Sequence, residues 1–411
     1  MDGRDYYNRQ NPRARSASSS GHRKAKASHD SVAEKFRGWL KPVKGAPDYI
    51  FLAVVLLLVA YGIIMLFSAS SAKAYATYNN AFFFVKRQAG WIVVGGFAML
   101  ITSKIDYHRY GGKINGTVSV AGAFYVITGI LLLLVISGLG TTVNGATRWL
   151  FGFQPSELAK IAIIILFAYS LSRDLGQKNL KHFGTGLFSY MLIFGVYVAL
   201  LALEPHFSCV ILIFLTIVIM LFVAGVPLKH FGMCAIPVAL GVIGLVIIEP
   251  YRMARVTSFL NPFADKQGDG WQIVQSLYAI GSGGIFGVGL GQSRQKYQSL
   301  PEPHNDFIFS VLCEELGLIG AILLVALFMV LLIRGIKIAM KAPDLFGMLL
   351  VVGIVGIVCL QAAINIAVVT ASIPVTGMPL PFFSYGGTAL AITMAEMGIV
   401  LNVSRQAKLP I

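Results

Sequence analysis

Repeated apolar runs of about 18 to 25 residues dominate this sequence and constrain its fold more than any other feature. As a helix, each run is long enough to cross a hydrocarbon core about 30 Å thick. Lipid offers the backbone no hydrogen-bond partners, so such runs must satisfy their own amide groups. Only 12% of the residues are charged and 56% are hydrophobic, which leaves too little charge to cover a water-soluble surface. The sequence therefore predicts an all-α, polytopic membrane protein.

The apolar runs predict about ten transmembrane helices, with both termini in the cytoplasm. The basic amino terminus sets this orientation, because each inside segment then carries at least one Lys or Arg. A membrane domain at 48–405 is followed by a cytoplasmic tail at 406–411. Between helices 7 and 8 lies a long extracellular loop at 249–306, and connections of that length are usually functional. The predicted helices are 49–70, 82–102, 118–136, 156–172, 183–203, 207–224, 231–248, 307–333, 346–369 and 381–402.

Residues 1–47 form a basic arm that precedes the first apolar run. The chain has a net charge of +15, and many of its 33 Lys and Arg residues lie in this Ser-rich segment. A basic chain suggests nucleic acid as a partner, but charge clustered beside a membrane span indicates attraction to anionic membrane lipids. We predict a disordered cytoplasmic arm on the lipid surface, with a protein contact as the alternative, and no nucleic-acid partner.

Two patterns that often mark cofactor sites do not do so here. The cysteines lie in or beside apolar runs without CxxC spacing, so they are predicted to be buried small hydrophobic residues. The glycine-dense run 281–291 lacks the GxGxxG spacing and a preceding strand, which excludes a nucleotide site. Close backbone packing and tight turns are predicted for these glycines instead. The four cysteines are Cys209, Cys234, Cys313 and Cys359.

Charged residues predicted near the outer membrane surface are the first candidates for chemistry, because charge at membrane depth is costly. Glu157 and Lys160 lie three residues apart on one predicted helix face. They either form an ion pair that fixes helix packing or face a cavity for a charged substrate. Arg148 is either an interfacial anchor or a phosphate ligand, since its guanidinium matches phosphate oxygens. Lys86 and Arg87 either snorkel to the interface or bind an anionic headgroup.

Asp306 is the most informative acid, because it lies where the long loop meets the eighth predicted helix. A partly desolvated carboxylate there has a raised pKa and is a better base, although Asp also commonly caps helices. Of Glu314 and Glu315, one is predicted to face a polar interior and the other to pair with a basic residue. The three prolines and three glycines of Pro374–Thr388 predict irregular backbone, which either lines a cavity or only kinks a helix.

Together these segments resemble the SEDS family, which includes FtsW, RodA and SpoVE. The resemblance extends over about residues 49 to 405, and the combination of its motifs in one chain is highly specific. The spacing of Ser293 and Lys296 is more similar to FtsW or SpoVE than to RodA. The matching segments are Asn144–Trp149, Gln154–Lys160, Arg255–Pro262, Gln272–Gly291, Leu300–Gly317 and Pro374–Gly387.

The resemblance implies a peptidoglycan glycosyltransferase on the outer face of the bacterial cytoplasmic membrane. It would polymerise lipid II into β-1,4-linked glycan strands and release undecaprenyl pyrophosphate. Asp306 falls on the family's catalytic Asp and is the predicted general base. Arg148, Glu157 and Lys160 fall on family motif positions and are predicted to bind the substrate. The other predicted substrate-binding residues are Lys86, Arg87, Gln275, Ser276, Lys296, His304 and Ser384.

The resemblance also implies a class B penicillin-binding protein, a transpeptidase, as partner, along with other division or elongation proteins. The sequence has no all-protein metal site, so a divalent cation (Mg or Mn) would be bridged by the substrate. Two other functions stay open. Charged residues at membrane depth and broken helices also suit a lipid II flippase or transporter, and the chain could be a non-catalytic scaffold for division proteins.

The corner between the fifth and sixth predicted helices departs from the family pattern. Many relatives have Gln-Pro-Asp there, whereas this chain has Glu204-Pro205-His206. The role of the family's Asp is therefore not assigned to His206, which is predicted to be a surface histidine at the corner.

Overall fold

The computed structural model of the chain describes residues 45–114, 118–143, 146–174, 187–204, 206–232, 244, 250–263, 270–298 and 300–407. Almost all of the predicted arm at 1–47 lies outside the described residues. So does most of the predicted helix at 231–248 and of the tail at 406–411.

Seven helices in the described part of the chain are long and apolar enough to span a membrane. They are Tyr49–Tyr78, Phe83–Lys104, Val120–Leu139, Pro155–Arg173, Ile308–Met340, Leu345–Val369 and Gly387–Arg405. Phe188–Leu203 and Phe207–Val223 are apolar but shorter. A multi-pass membrane fold is therefore confirmed, and the count of ten spans stays a prediction. In chain order the helices are α1 (Tyr49–Tyr78), α2 (Phe83–Lys104), α3 (His108–Gly111), α4 (Val120–Leu134), α5 (Pro155–Asp174), α6 (Phe188–Leu203), α7 (Phe207–Val223), α8 (Pro250–Leu260), α9 (Trp271–Gly283), α10 (Gln295–Gln298), α11 (Ile308–Met340), α12 (Leu345–Val369) and α13 (Gly387–Arg405).

Two short antiparallel hairpins interrupt the helical fold, which the all-α prediction did not include. β1 (Lys113–Ile114) pairs with β2 (Val118–Ser119), and β3 (Thr141–Val143) pairs with β4 (Ala146–Trp149). Strands this short carry no periodic sequence signal. The second hairpin matters for the site, because β4 carries Arg148 directly before α5.

Three helix ends differ from the prediction by six residues or more, and one of them is the end of α11, which reaches Met340 instead of 333. α1 continues to Tyr78 instead of ending at 70, because hydropathy marks the edge of the apolar run and not the end of the helix. α13 begins at Gly387 instead of 381, and Phe382, with φ of 68°, lies in a left-handed backbone conformation that a helix cannot accommodate. The irregular backbone predicted around Pro381 is therefore present.

The centre of the bundle is formed by α5, α12 and α13. In their most apolar windows 72%, 67% and 67% of the residues are buried, against 22% for both α2 and α4, which places the latter two at the periphery. α13 nonetheless packs closely on α2. The Thr102 hydroxyl donates to the Ala395 carbonyl at 2.8 Å, and a Cβ at Gly398 would lie 2.0 Å from the Thr102 oxygen.

The two ends of the described chain meet on one face of the bundle. Asp48 caps α1 by accepting from the Phe51 amide at 2.9 Å and pairs with Arg334 near the end of α11 at 2.6 Å. Its own amide donates to Ser404 of α13 at 3.0 Å. Since α11 is long enough to span the bundle, its first residue, Ile308, lies at the opposite end.

The glycine-rich segment after α9 folds back against a break in α11. Gly317 has φ of 63° and ψ of −161°, which interrupts the helix. Across the break, the Leu318 amide donates to the Gly284 carbonyl and the Val288 amide donates to the Glu314 carbonyl, both at 2.9 Å. Backbone groups that the break would leave unpaired are thereby satisfied. The packing role predicted for these glycines is confirmed.

A buried ion pair anchors the same region to α1. Lys296 Nζ lies 2.7 Å from Glu315 Oε1, with both side chains at most 1% exposed. Ser68 of α1 also donates to Glu315, and Ser293 donates to Glu314 at 2.5 Å. The prediction that one of the two glutamates pairs with a basic residue is confirmed. Lys296, for which substrate binding stays a prediction, is buried and paired with Glu315.

The close approach of α9 to α11 can be tested with two glycines of the same helix. A Cβ at Gly283 would lie 1.9 Å from the Cys313 carbonyl oxygen, whereas a Cβ at Gly281 would meet nothing within 4 Å. Gly283→Ala is expected to destabilise the protein by about 1–3 kcal/mol. Gly281→Ala should be neutral or stabilise it by up to about 1 kcal/mol. Thermal unfolding in detergent measures both, and equal melting temperatures would contradict this packing.

Candidate functional site

Asp306 lies two residues before α11, at the end of the bundle opposite the meeting point of the chain ends. The N-cap of α11 is Phe307 and has no side-chain capping bond, so the capping role considered for Asp306 is not observed. Asn365 of α12 holds the backbone here, because its Nδ2 donates to the carbonyls of Asp306 (2.8 Å) and Met378 (2.7 Å). The position of Asp306 is thus set by three segments distant in sequence.

The environment of the Asp306 carboxyl raises its pKa to about 6. Burial is the largest cause, and the nearby Glu302 carboxylate adds to it. Arg255 and Arg148 act in the opposite direction and favour the ionised form. A carboxylate that titrates close to neutrality and is flanked by two cations suits proton transfer next to an anionic group.

The two arginines reach Asp306 from separate elements, and each is held through a backbone carbonyl. Arg148 on β4 donates from Nε to the Glu204 carbonyl at 3.4 Å. Arg255 on α8 donates from Nη1 to the Val375 carbonyl at 2.8 Å. The irregular segment before α13 therefore supports an arginine and does not only kink a helix. Fixed guanidinium groups of this kind match the oxygens of a phosphate or diphosphate.

Glu157 and Lys160 form the predicted ion pair, with Lys160 Nζ 2.8 Å from Glu157 Oε2 and both residues 7% exposed. Lys160 also donates to the Gln361 side chain at 3.0 Å. Both members of the pair line a depression with an empty volume of about 260 Å³, together with His206, Cys209 and Gln361 among others. Ion pair and cavity lining, which the sequence left as alternatives, therefore occur together.

His206 is only partly exposed and lines this depression, which corrects the prediction of a surface histidine. Its Nδ1 is buried and has no hydrogen-bond partner among the described residues. Burial lowers its pKa to about 3, and Arg148 and Lys160 contribute to the shift. A neutral imidazole therefore stands beside two cations, because the corner between α6 and α7 folds inward.

His304 and Ser384, predicted to bind substrate, support the backbone around Asp306. His304 is 3% exposed and packs against the Phe84 ring with centroids 4.6 Å apart. Ser384 donates to the Asn305 carbonyl and accepts from the Leu380 amide, both at 2.7 Å. Their positions favour a structural role over the predicted substrate contact.

Gln275 and Ser276 are buried where α9 packs against α11 and α12. The Ser276 hydroxyl lies 2.8 Å from that of Ser310 and donates to the Val369 carbonyl at 2.6 Å. Both residues are shielded, with Gln275 7% exposed and Ser276 0%. Ser276 therefore links α9 to α11 and α12. Because its side chain is fully buried, it presents no exposed surface for the substrate contact that the sequence predicted.

Lys86 and Arg87 remain on the exposed side of α2. The Arg87 guanidinium lies over the Phe83 ring, 4.5 Å from its centroid. The neighbouring Gln88 is buried and donates to the Ser384 carbonyl at 3.2 Å. The structure therefore turns Gln88 inward and leaves the two cations at the surface.

Arg255, Gln361 and Glu204 belong to the site but were not among the predicted site residues. Arg255 begins one of the segments that resemble the family, so its position and charge could have identified it as a site residue from the sequence. Gln361 lies in an apolar run and Glu204 at a helix corner, and neither position distinguishes a site residue in sequence. Within the described ranges, His, Cys, Asp and Glu side chains form no group of three that could hold a metal ion.

The fold and the site together define a multi-pass helical membrane protein with a carboxylate and two arginines gathered at one end of the bundle. Comparison with known proteins identifies the family more closely. The family model described as "Cell cycle protein", covering FtsW, RodA and SpoVE, matches residues 48–409. The chain belongs to this family.

Relatives and solved structures agree with this assignment. The chain is 42% identical to stage V sporulation protein E of Bacillus subtilis (strain 168), covering 89% of this chain and 99% of the relative. It is 41% identical to a probable peptidoglycan glycosyltransferase FtsW of Geobacter sp. (strain M18), covering 88% and 97%. A chain of a peptidoglycan synthase complex is 30% identical with a TM-score of 0.72, covering 88% and 98%. Thermus thermophilus RodA is 26% identical with a TM-score of 0.64, covering 89% and 98%.

The buried ion pair of Glu157 and Lys160 allows a prediction about the stability of two variants. Lys160→Met leaves an uncompensated carboxylate and is expected to destabilise the protein by about 3–5 kcal/mol. The double variant Glu157→Leu/Lys160→Met removes both charges and should recover most of the loss. Thermal unfolding of both variants in detergent measures this coupling. A double variant as unstable as the single one would show that the pair is not the cause.

Proposed function

We propose that the chain is a peptidoglycan glycosyltransferase that polymerises lipid II into β-1,4-linked glycan strands and releases undecaprenyl pyrophosphate. The observation that carries the proposal is the partly buried carboxylate of Asp306, which is influenced by Arg148 and Arg255 at one end of the bundle. Transfer of a sugar from a diphosphate requires a base next to positive charge, and this arrangement supports that requirement. The relatives named peptidoglycan glycosyltransferase support the same reaction class.

Asp306 acts as the general base in this mechanism. The 4-hydroxyl oxygen of the acceptor's terminal sugar forms a bond to the donor's anomeric carbon, and its proton passes to the Asp306 carboxylate. The bond between that carbon and the diphosphate breaks with inversion, and the bonding electrons leave with the diphosphate. A base with a pKa of about 6 is largely ionised at neutral pH and still accepts a proton effectively.

Positive charge on the leaving group's side lowers the barrier, because the diphosphate gains charge as it departs. Arg148 and Arg255 supply fixed charge beside Asp306. Lys160 is already paired with Glu157, so its contribution to binding is smaller than that of an unpaired lysine. A divalent cation would fit as a substrate-bridged ion that adds charge at the diphosphate, since the described side chains offer no cluster for an all-protein site.

The reaction requires the site to face the outer side of the bacterial cytoplasmic membrane, which agrees with the positive-inside orientation of the sequence. A class B penicillin-binding protein is the proposed partner, because newly made strands need a transpeptidase and the similar chain of known structure belongs to a peptidoglycan synthase complex. Other division or elongation proteins would select where the pair works.

Asp306→Asn is expected to reduce polymer formation by about 100-fold or more, because the amide preserves shape but removes the base. Polymer synthesis from purified lipid II in detergent measures this, and without a membrane barrier a pure flippase would give no polymer. Asp106→Asn, at the other end of the bundle, is the matched control and should retain activity. Full activity of Asp306→Asn with an unchanged melting temperature would remove Asp306 from the mechanism.

The raised pKa of Asp306 predicts that kcat increases with pH through about 6 and then reaches a plateau, because only the ionised carboxylate accepts the proton. Glu302→Gln removes a negative neighbour that raises this pKa, so the midpoint should move to lower pH. Rate profiles between pH 5 and pH 8 test both statements. A midpoint that moves to higher pH in Glu302→Gln would contradict the assignment.

A further inference from the structure

Glu204 is a buried acid for which the reaction described above has no role. The residue follows the last residue of α6 and is 1% exposed. Neither carboxyl oxygen has a hydrogen-bond partner among the described residues. A buried polar group without a partner costs about 1–3 kcal/mol, so a group like this one calls for an explanation. His206 Nδ1, two residues later, is buried and unpartnered in the same sense.

The surroundings of Glu204 indicate an anionic ligand. Arg148, which acts on Asp306, donates from Nε to the main-chain carbonyl of Glu204 itself. A phosphate held by this arginine would therefore lie within reach of the Glu204 side chain. The corner continues into the depression lined by His206, Lys160 and Glu157. Three buried polar atoms without partners among the described residues thus belong to side chains on which Arg148 or Lys160 acts electrostatically.

We propose that Glu204 is a further substrate-binding residue, whose protonated carboxyl group donates a hydrogen bond to a phosphate oxygen of the bound donor. This inference rests on the proposed function, since the donor supplies the diphosphate. An ionised carboxylate offers only acceptors and would repel that oxygen, whereas the neutral acid offers one O–H donor. The unmet hydrogen-bonding capacity of the corner is then satisfied when substrate binds.

The electrostatics of the corner agree with this protonation state. Burial raises the pKa of Glu204 to about 8, and Arg148 offsets only part of the shift. The groups that share the corner are Arg148 from β4, Glu157 and Lys160 from α5, and His206 and Cys209 from the start of α7. The pKa of His206 is lowered to about 3, so this imidazole stays neutral. Of Glu204 and His206, Glu204 is therefore the residue that ionises near pH 8. Glu396 of α13 also acts electrostatically on Glu157 and Lys160, so the Glu204→Gln variant is needed to assign an alkaline transition to the corner.

The experiment separates kcat from KM for lipid II polymerisation between pH 6.5 and pH 9.5. In the parent protein KM should increase above pH 8, by roughly tenfold for each further pH unit when a single proton is lost. In Glu204→Gln the amide keeps a neutral donor, so KM should be independent of pH over this range. Glu302→Gln is the matched control and should retain the alkaline increase in KM.

An alkaline increase in KM that persists in Glu204→Gln with the same midpoint, or that is absent from the parent, would overturn the inference. A second measurement covers failure of Glu204→Gln to fold. Lipid II binding to Asp306→Asn can be measured as an increase in melting temperature, and this binding should weaken above pH 8. A pH-independent affinity would also overturn the inference. Absence of polymer from the parent at every pH would refute the proposed function, while the binding measurement would still test Glu204.

Discussion

The exchange of backbone hydrogen bonds between the glycine-rich segment and the break in α11 is the contact on which the site depends. Gly317 lies nine residues after Ile308, about 14 Å along the helix, so the break lies at membrane depth, where unpaired backbone groups are costly. Backbone approaches as close as that at Gly283 leave no room for a side chain. The exchange holds the first turns of α11, and with them the backbone of Asp306, against α9.

Charge in the described fold divides into two groups with different roles. Lys296 with Glu315 and Lys160 with Glu157 form close pairs that neutralise each other, and removing one partner would leave a buried charge. Arg148 and Arg255 donate to backbone carbonyls and also act electrostatically on Asp306. Because the environment favours the neutral forms of Glu204 and His206, neither side chain adds a negative charge that would repel a diphosphate.

Much of the architecture was predictable because membrane helices follow from composition alone. Nine of the ten predicted spans coincide with helices of the described chain, and the remaining one at 231–248 lies mostly outside it. The pairing of Glu157 with Lys160 was also predictable, since it depends on local spacing and on the cost of charge near lipid. The role of Asp306 follows from the resemblance to the family and stays a proposal. The packing contacts of Ser276 and Lys296 were not predictable, because a polar residue in a motif has the same sequence signal whether it binds a ligand or a neighbouring helix.

The sequence by itself determined the class of fold, the order of the helices and the position of Asp306 just before a helix, because hydropathy and motif spacing are local properties. Only the tertiary structure decided which polar residues meet. Asn365 aligns Asp306 with Met378, Arg255 reaches the segment before α13, and the corner with Glu204 folds inward beside Arg148. These contacts join residues between 13 and 120 positions apart, and their geometry depends on how the helices pack and not on any one segment.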